Sequence, residues 1–302
     1  MIREVDKITS RLVLGTAQLG MPYGIANRTG QPDFETAVSI IKAAWEYGIR
    51  EFDTAQAYGE SEAVLGRAFL SLGISNDVKI ITKLDPKLEP QQEQKIKRAV
   101  DRSLERLQVP HLYGIMLHRE EWLDNLKHGL EKTLQTLVLD GAIQHVGVSL
   151  YTPAMALRAL ESDILEMIQV PANILDRRFA DAGVFKLANE KKKQVYIRSV
   201  FLQGLLLMKP EDLPARMAFA KPTLSKINNL CAQYKYTRQD IALLYIKGKY
   251  PQARIIVGAE TPAQLEQNLT IWEDNFRSLF EIKEFDSWSI ADERILNPAL
   301  WS

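Results

Sequence analysis

The sequence predicts a single (β/α)8 barrel spanning residues 1–302, a TIM barrel in one domain. Short β-branched or aliphatic runs alternate with longer stretches of helical period, and about eight such units can be counted. A chain of 302 residues is also of the length at which eight units close into one barrel. An open doubly wound sheet is the rival architecture. It usually opens with G-x-G-x-x-G after its first strand, and the early glycines here do not keep that spacing.

The first strand is Arg11 to Gly15, followed by a loop containing glycine and proline. A helix follows from Asp33 to Tyr47, because Ala37, Ile40, Ile41 and Ala44 fall at i, i+3, i+4 and i+7. Asp33 after Pro32 supplies an N-cap and Gly48 a stop. Strand two is Ile49 to Asp53, and the next helix begins near Ser61 with Glu62 in its first turn. Val78 to Thr82 is the third strand, before a helix from Gln91 to Leu107. Leu112 to Leu117 is the fourth, before a helix from Glu120 to Leu139. His145 to Ser149, Met167 to Val170 and Val195 to Ser199 are the next three. Arg254 to Val257 is the last, and the helix Thr261 to Phe276 follows it. No linker rich in proline, glycine or serine divides the chain. The tail 281–302, with Trp288 and Trp301, is too apolar to be free and is expected to pack across the barrel.

Composition removes several function classes. The chain is 46% hydrophobic and 25% charged, with 38 Lys and Arg against 38 Asp and Glu, so no global field recruits nucleic acid or an anionic membrane. No apolar run approaches the roughly 18–20 residues of a membrane span, and MIREVDKITSRLVLG lacks the apolar core of a signal peptide. Cytoplasmic residence is the expectation. The one cysteine, Cys231 in INNLCAQY, reads as a small hydrophobe on a helix face. Lys191–Lys193 reads as a solvated helix end. His111, His118, His128 and His145 show no ligand-like pairing, so no metal is expected.

Barrel enzymes carry their catalytic groups at the C-terminal ends of strands. Strand two ends in Asp53, with Tyr58 in the loop just after it; strand three leads into Lys83; strand four leads into His118. A carboxylate, a phenol, an ammonium and an imidazole thus converge on one face. Singly, each is more often a cap, a packing group or a loop anchor. Together they would put two charges and two polar tips in a partly dry site, which is costly unless used. The chemistry suggested is proton delivery. A neighbouring ammonium lowers the pKa of a phenol, a carboxylate holds that ammonium in place, and an imidazole polarises a substrate carbonyl. Hydride has no side-chain source, so a nicotinamide cofactor would have to share the barrel mouth.

The segments LGTAQLG, FDTAQAYGESEAVLGRAF, IITKL, IMLH, HVGVSLY, IQVPANILDRR, VYIRSVFLQGLLL and IIVGAETPAQLEQNL resemble the aldo-keto reductase superfamily over nearly the whole chain. GTAQLGMPYGIAN and NPALW resemble a bacterial branch sometimes linked to sugar or surface-polysaccharide metabolism. The resemblance implies that Asp53, Tyr58, Lys83 and His118 form a catalytic tetrad with Tyr58 as general acid. It implies that Gly15 and Thr16 border a nicotinamide, that Ser149 and Gln169 contact its carboxamide, and that Ser199, Leu202 and Gly204 line the pyrophosphate crossing. Gly258, Thr261, Gln264, Gln267 and Asn268 would surround the adenosine.

Three positions depart from the family pattern. Leu150 stands where many members have Asn; Arg198 stands where many stack an aromatic ring on the nicotinamide; Gly258 and Gln264 stand where Lys and Arg often meet a 2′-phosphate. A guanidinium is planar and can stack too. The implied activity is reduction of a small aldehyde or ketone, sugar carbonyls included, with NADPH favoured and NADH open. Tyr23, Trp122 and Trp301 are candidates to line the substrate pocket. Two rivals remain: a Schiff-base lyase using Lys83, and a cofactor-binding regulatory subunit on the same scaffold.

Overall fold

The computed structural model describes residues 11–274 and 292–301. Eight parallel strands close into a barrel in sequence order: β1 (Leu12–Gly15), β2 (Glu51–Asp53), β3 (Lys79–Lys83), β4 (Leu112–Leu117), β5 (Ile143–Ser149), β6 (Met167–Pro171), β7 (Gln194–Arg198) and β8 (Arg254–Gly258). Closure comes from β1 pairing with β8, with Leu12 opposite Ile255 and Gly15 opposite Gly258. All eight expected strands are present, with ends shifted by at most two residues. Nine helices of seven residues or more lie among the described residues: α1 (Phe34–Glu46), α2 (Ser61–Leu72), α3 (Glu93–Leu107), α4 (Leu130–Leu139), α5 (Pro153–Leu160), α6 (Val184–Glu190), α7 (Lys221–Tyr234), α8 (Arg238–Lys249) and α9 (Pro262–Glu273).

Local chemistry accounts for the boundaries. Asp33 caps α1 by accepting the Thr36 N–H at 2.8 Å, as its position after Pro32 suggests. The helix expected over Glu120–Leu139 is two pieces. Gly129, at φ +104°, breaks a 3-10 segment (Glu120–His128) from α4, a left-handed bend that glycine accepts at low cost. The last helix stops at Glu273, short of the expected Phe276, which lies outside the described residues.

Strand alternation sorts the barrel interior into tiers. Val13, Ile81, Met116, Met167 and Tyr196 fill its middle, all fully buried. Below them Glu51 is paired with Arg254 at 2.8 Å and accepts the Tyr196 hydroxyl at 3.0 Å, a polar floor. Two residues above the middle tier, the same inward series continues as Lys83, His118, Gln169 and Arg198, and on β2 Asp53 stands two residues above Glu51. The apolar plug therefore separates the polar mouth from the polar floor. The larger core lies between barrel and helices, as where Phe52 of β2 meets Phe69 of α2 edge-on at 4.9 Å.

One side chain in the Lys191–Lys193 run differs from expectation. Lys193 is half-buried, not on a solvated face: its ammonium donates to the Ser162 and Leu165 carbonyls at 2.7 and 2.8 Å, while Lys191 pairs with Glu161 at 2.5 Å. Cys231 lies half-buried on α7, its thiol pushed up by burial, in keeping with a packing role. Of the tail, Ile295, Leu296 and Trp301 are buried, and Arg294 stacks on Phe219 at 4.5 Å. Trp288 lies outside the described residues. No helix among the described residues is long and apolar enough to cross a membrane.

The contact of α2 with the end of α3 has no spare room. A Cβ at Gly66 would stand 2.0 Å from the Arg106 carbonyl oxygen. Gly66→Ala is therefore expected to cost about 1–3 kcal/mol, the usual scale of overpacking, read as a lower urea midpoint. An unchanged midpoint would mean that the two helices separate freely.

Candidate active site

The ends of β2 and β3 build the centre. Lys83, 1% exposed, donates to both Asp53 carboxylate oxygens at 2.8 and 2.7 Å and to the Thr54 carbonyl at 2.9 Å. The Gln169 amide donates to the same carboxylate at 2.6 Å. The Tyr58 hydroxyl lies 3.5 Å from Lys83 Nζ, and the Tyr58 ring meets the His118 ring edge-on at 6.1 Å. The four groups expected from strand ends thus share one site.

The loop carrying Tyr58 is held from two sides. Thr16 bonds to the Asp53 carbonyl through its N–H at 3.0 Å and its hydroxyl at 2.9 Å, and Ser61 links Thr16 to Thr54. Gln56 reaches outward to Ser103 and the Ala99 carbonyl, both at 2.9 Å, and accepts the Asp85 N–H. Thr16 is a residue the resemblance sets beside a nicotinamide, but nothing in the spacing of Thr16, Gln56 or Ser61 marks them as anchors.

A cavity of about 370 Å³, within the range of small-molecule sites, opens on this centre. It runs from Asp53 and Tyr58 past Gly15, Thr16, Gln169, Arg198, Ser199 and Gly204 to Gly258, Gln264, Gln267 and Asn268. Ser149 is buried at the top of β5 and Thr261 caps α9; neither lines the cavity. Leu202 is fully buried and also off the wall. It belongs to a strained loop in which Ser199, Leu202 and Gln203 all have φ between +47° and +62°. Asn173 holds that loop by donating to the Ser199 carbonyl at 3.1 Å.

The loop after β7 meets the loop after β1 across the cavity, where the Ile25 N–H donates to the Gln203 carbonyl at 2.9 Å. Gly204, at φ +90°, allows the approach, since a Cβ there would stand 2.6 Å from that of Ala26. Of the aromatic candidates, Tyr23 lines the cavity, whereas Trp122 and Trp301 are buried in the core. Gln18, Gln203, Gln239 and Glu260 are wall residues that the strand-end survey did not include. Glu260 lies two positions beyond β8, and a survey extended into each following loop would have reached it.

Arg198 crosses the mouth. Its guanidinium donates to the Leu150 carbonyl at 3.2 Å and stacks on Tyr151 at 4.5 Å, so a charge is fixed beside the reaction centre. The Leu150 backbone thereby serves Arg198, while its side chain is buried.

Electrostatics correct one expectation. The ammonium was expected to lower the Tyr58 pKa, but burial and the Asp53 charge push the phenol well up, opposed by Arg198. Lys83 is closer to the Asp53 oxygens than to the phenol, so most of its field is cancelled there. Tyr58 therefore keeps its proton at neutral pH. The same pairing opposes a Schiff-base role, which needs a free neutral amine.

Burial, then Lys83 and Arg198, push His118 down to about 4, and its Nδ1 is buried without a hydrogen-bond partner. The imidazole is neutral at pH 7 and able to donate one hydrogen bond. Between about 4 and the ordinary 6.5 the unfolded chain binds more protons at this position, so its contribution to stability is present above 6.5 and lost as pH falls through about 4. An NMR titration of the His118 ring is expected to show no step between pH 5.5 and 9, in ordinary buffer. A midpoint near 6.5 would mean that the ring is solvated.

A family model described as the Aldo/keto reductase family matches residues 11–290. The aldo-keto reductase YhdN of Bacillus subtilis (strain 168) is 29% identical over 316 aligned residues, covering 94% of this chain and 92% of that protein. The D-arabinose 1-dehydrogenase of Saccharomyces cerevisiae is 32% identical over 150 residues, covering 47% of this chain and 43% of its own length. Among solved structures, the aldo-keto reductase AKR11C1 from Bacillus halodurans (holo form) has a similar fold, with a TM-score of 0.74 at 21% identity over 93% of both chains. With a family match over almost all of its length and a closed eight-stranded barrel to carry it, this chain belongs to the aldo/keto reductase family.

Proposed function

We propose that this protein reduces an aldehyde or ketone to an alcohol using a reduced nicotinamide dinucleotide, NADPH or NADH, with Tyr58 as the proton donor. The family is one of oxidoreductases, and carbonyl reduction in general follows from membership. The observation that carries the finer reading is a phenol that keeps its proton, 3.5 Å from an ammonium anchored on a buried carboxylate, at the inner end of a long cavity.

The cavity suits a dinucleotide. It is long, Gly15 and Gly258 keep its walls free of a side chain of their own, Gly204 lets two loops meet across its middle, and α9 turns its N-terminus toward its outer end. When bound, the nicotinamide supplies the hydride. The chain's own residues do the rest. Tyr58 donates its proton to the substrate carbonyl oxygen. As the phenol gives up that proton, the Lys83 ammonium stands 3.5 Å from the developing phenolate and Arg198 favours its charge. Asp53 keeps Lys83 in position, and Gln169 holds Asp53 from the opposite side, leaving the Gln169 carbonyl oxygen free to accept from a carboxamide. Neutral His118 offers a second donor to the carbonyl oxygen, and Arg198 adds a fixed positive charge at the mouth. In the family pattern a sugar carbonyl is one substrate class, and the polar atoms of Tyr23 and Gln203 in the wall suit a hydroxylated one.

Tyr58→Phe is expected to lower kcat by about 10²-fold or more while NADPH or NADH still quenches tryptophan fluorescence. Lys83→Met should be at least as damaging, because it leaves Asp53 buried without its counter-ion. Near-normal turnover of a carbonyl substrate by the Tyr58 variant would sink the assignment.

A further inference from the structure

The outer end of the cavity has an unusual lining for a site that takes a phosphorylated ribose. Gln18, Gln239, Gln264, Gln267 and Asn268 bring neutral amides, and Glu260 brings a carboxylate. Among the described residues of the cavity wall, Arg198 alone carries a positive charge, and it is fixed to Leu150 and Tyr151 at the inner end. A 2′-phosphate bears about 1.5 to 2 negative charges, as phosphate monoesters do near neutral pH, and calls for cationic donors.

The places where such donors could stand are taken. A Cβ at Gly258 would meet the Gln18 amide, with Nε2 only 2.3 Å away, so the Gln18 side chain occupies the space above that backbone. The Gln264 amide is folded back, its Oε1 accepting the Glu260 N–H at 2.8 Å. Asn268 is turned to Gln239, accepting its amide at 2.6 Å. Glu260 lies partly buried between β8 and α9, held by its backbone to Gln264.

We infer that Glu260 selects NADH over NADPH, its carboxylate accepting hydrogen bonds from the vicinal hydroxyls of an unmodified adenosine ribose and repelling a 2′-phosphate. The physical logic is that of the acidic residue that reads a ribose 2′-hydroxyl in doubly wound dinucleotide domains, met here on a closed barrel. Glu260 is only partly buried, its carboxyl pushed up by burial against the opposing effect of a bond with Gln264, and a second negative group placed beside its charged form is repelled. This inference rests on the dinucleotide reading above, and it reverses the NADPH preference that family resemblance alone suggests.

The test is a binding titration of the full chain with NADH and with NADPH, followed by tryptophan quenching. A second titration uses ADP-ribose and 2′-phospho-ADP-ribose by calorimetry, which carry no hydride and report on the adenosine end alone. The wild type is expected to bind the 2′-hydroxyl form of each pair at least about tenfold more tightly. Glu260→Gln is expected to bring each ratio to within about threefold, and Gln264→Arg to shift it toward the 2′-phosphate form, since one charge is removed or added at the same spot. Equal or tighter binding of NADPH by the wild type would overturn the inference, as would ratios unchanged in Glu260→Gln. Failure of all four compounds to bind would overturn the dinucleotide reading itself, a result distinct from either.

Discussion

An ammonium and a carboxylate buried side by side need each other, because either one alone in a dry barrel mouth would cost several kcal/mol. Lys83 and Asp53 meet that requirement with two bonds of 2.7–2.8 Å, and the rest of the site is arranged around them. The Thr54 carbonyl takes the third Lys83 proton and Gln169 takes a further lone pair of Asp53, so the pair is nearly saturated. Adjacent parallel strands impose the geometry. β2 and β3 pair with Asp53 opposite Ile81, which leaves Lys83 one inward step higher and able to reach across. Tyr58 then stands over a polar group whose net charge is small, and a buried phenol in such surroundings holds its proton.

The same barrel geometry divides labour along its axis. The plug of Val13, Ile81, Met116, Met167 and Tyr196 keeps the mouth from the Glu51–Arg254 floor. Polar groups above it therefore find partners only with one another, with loops, or with whatever enters the cavity. His118 is the member left incomplete, its Nδ1 unpartnered and its charge suppressed. Functional strain sits where two loops must meet over the cavity, in the run from Ser199 to Gly204. An apolar interior and unstrained strands carry stability, while the loops carry the departures from ideal geometry.

Much of this was legible in the chain. Periodic apolar residues placed the strands to within two positions, because strand and helix repeat with different periods and the core demands both. The tetrad was legible for the same reason: Asp53, Lys83 and His118 end strands, and alternation aims strand-end residues inward. The Glu120–Leu139 stretch misled because its apolar pattern continues through Gly129, whose left-handed turn is a matter of backbone conformation that composition does not express. The anchoring roles of Thr16, Gln56, Ser61 and Asn173 left no signal, since their partners lie tens of residues away.

The sequence by itself determined the architecture, the family likeness and the chemical types at the strand ends, because these depend on local period and on residue identity. Tertiary structure alone decided how those types behave. It buried Tyr58 beside the Asp53 charge, with Lys83 closer to Asp53 than to the phenol, and so raised the phenol where the ammonium alone would have lowered it. It also folded Gln18 over Gly258 and set Glu260 in the cavity wall. Proton affinity and the charge of the cavity wall follow from distances between residues far apart in the chain, and only the closed barrel specifies those distances.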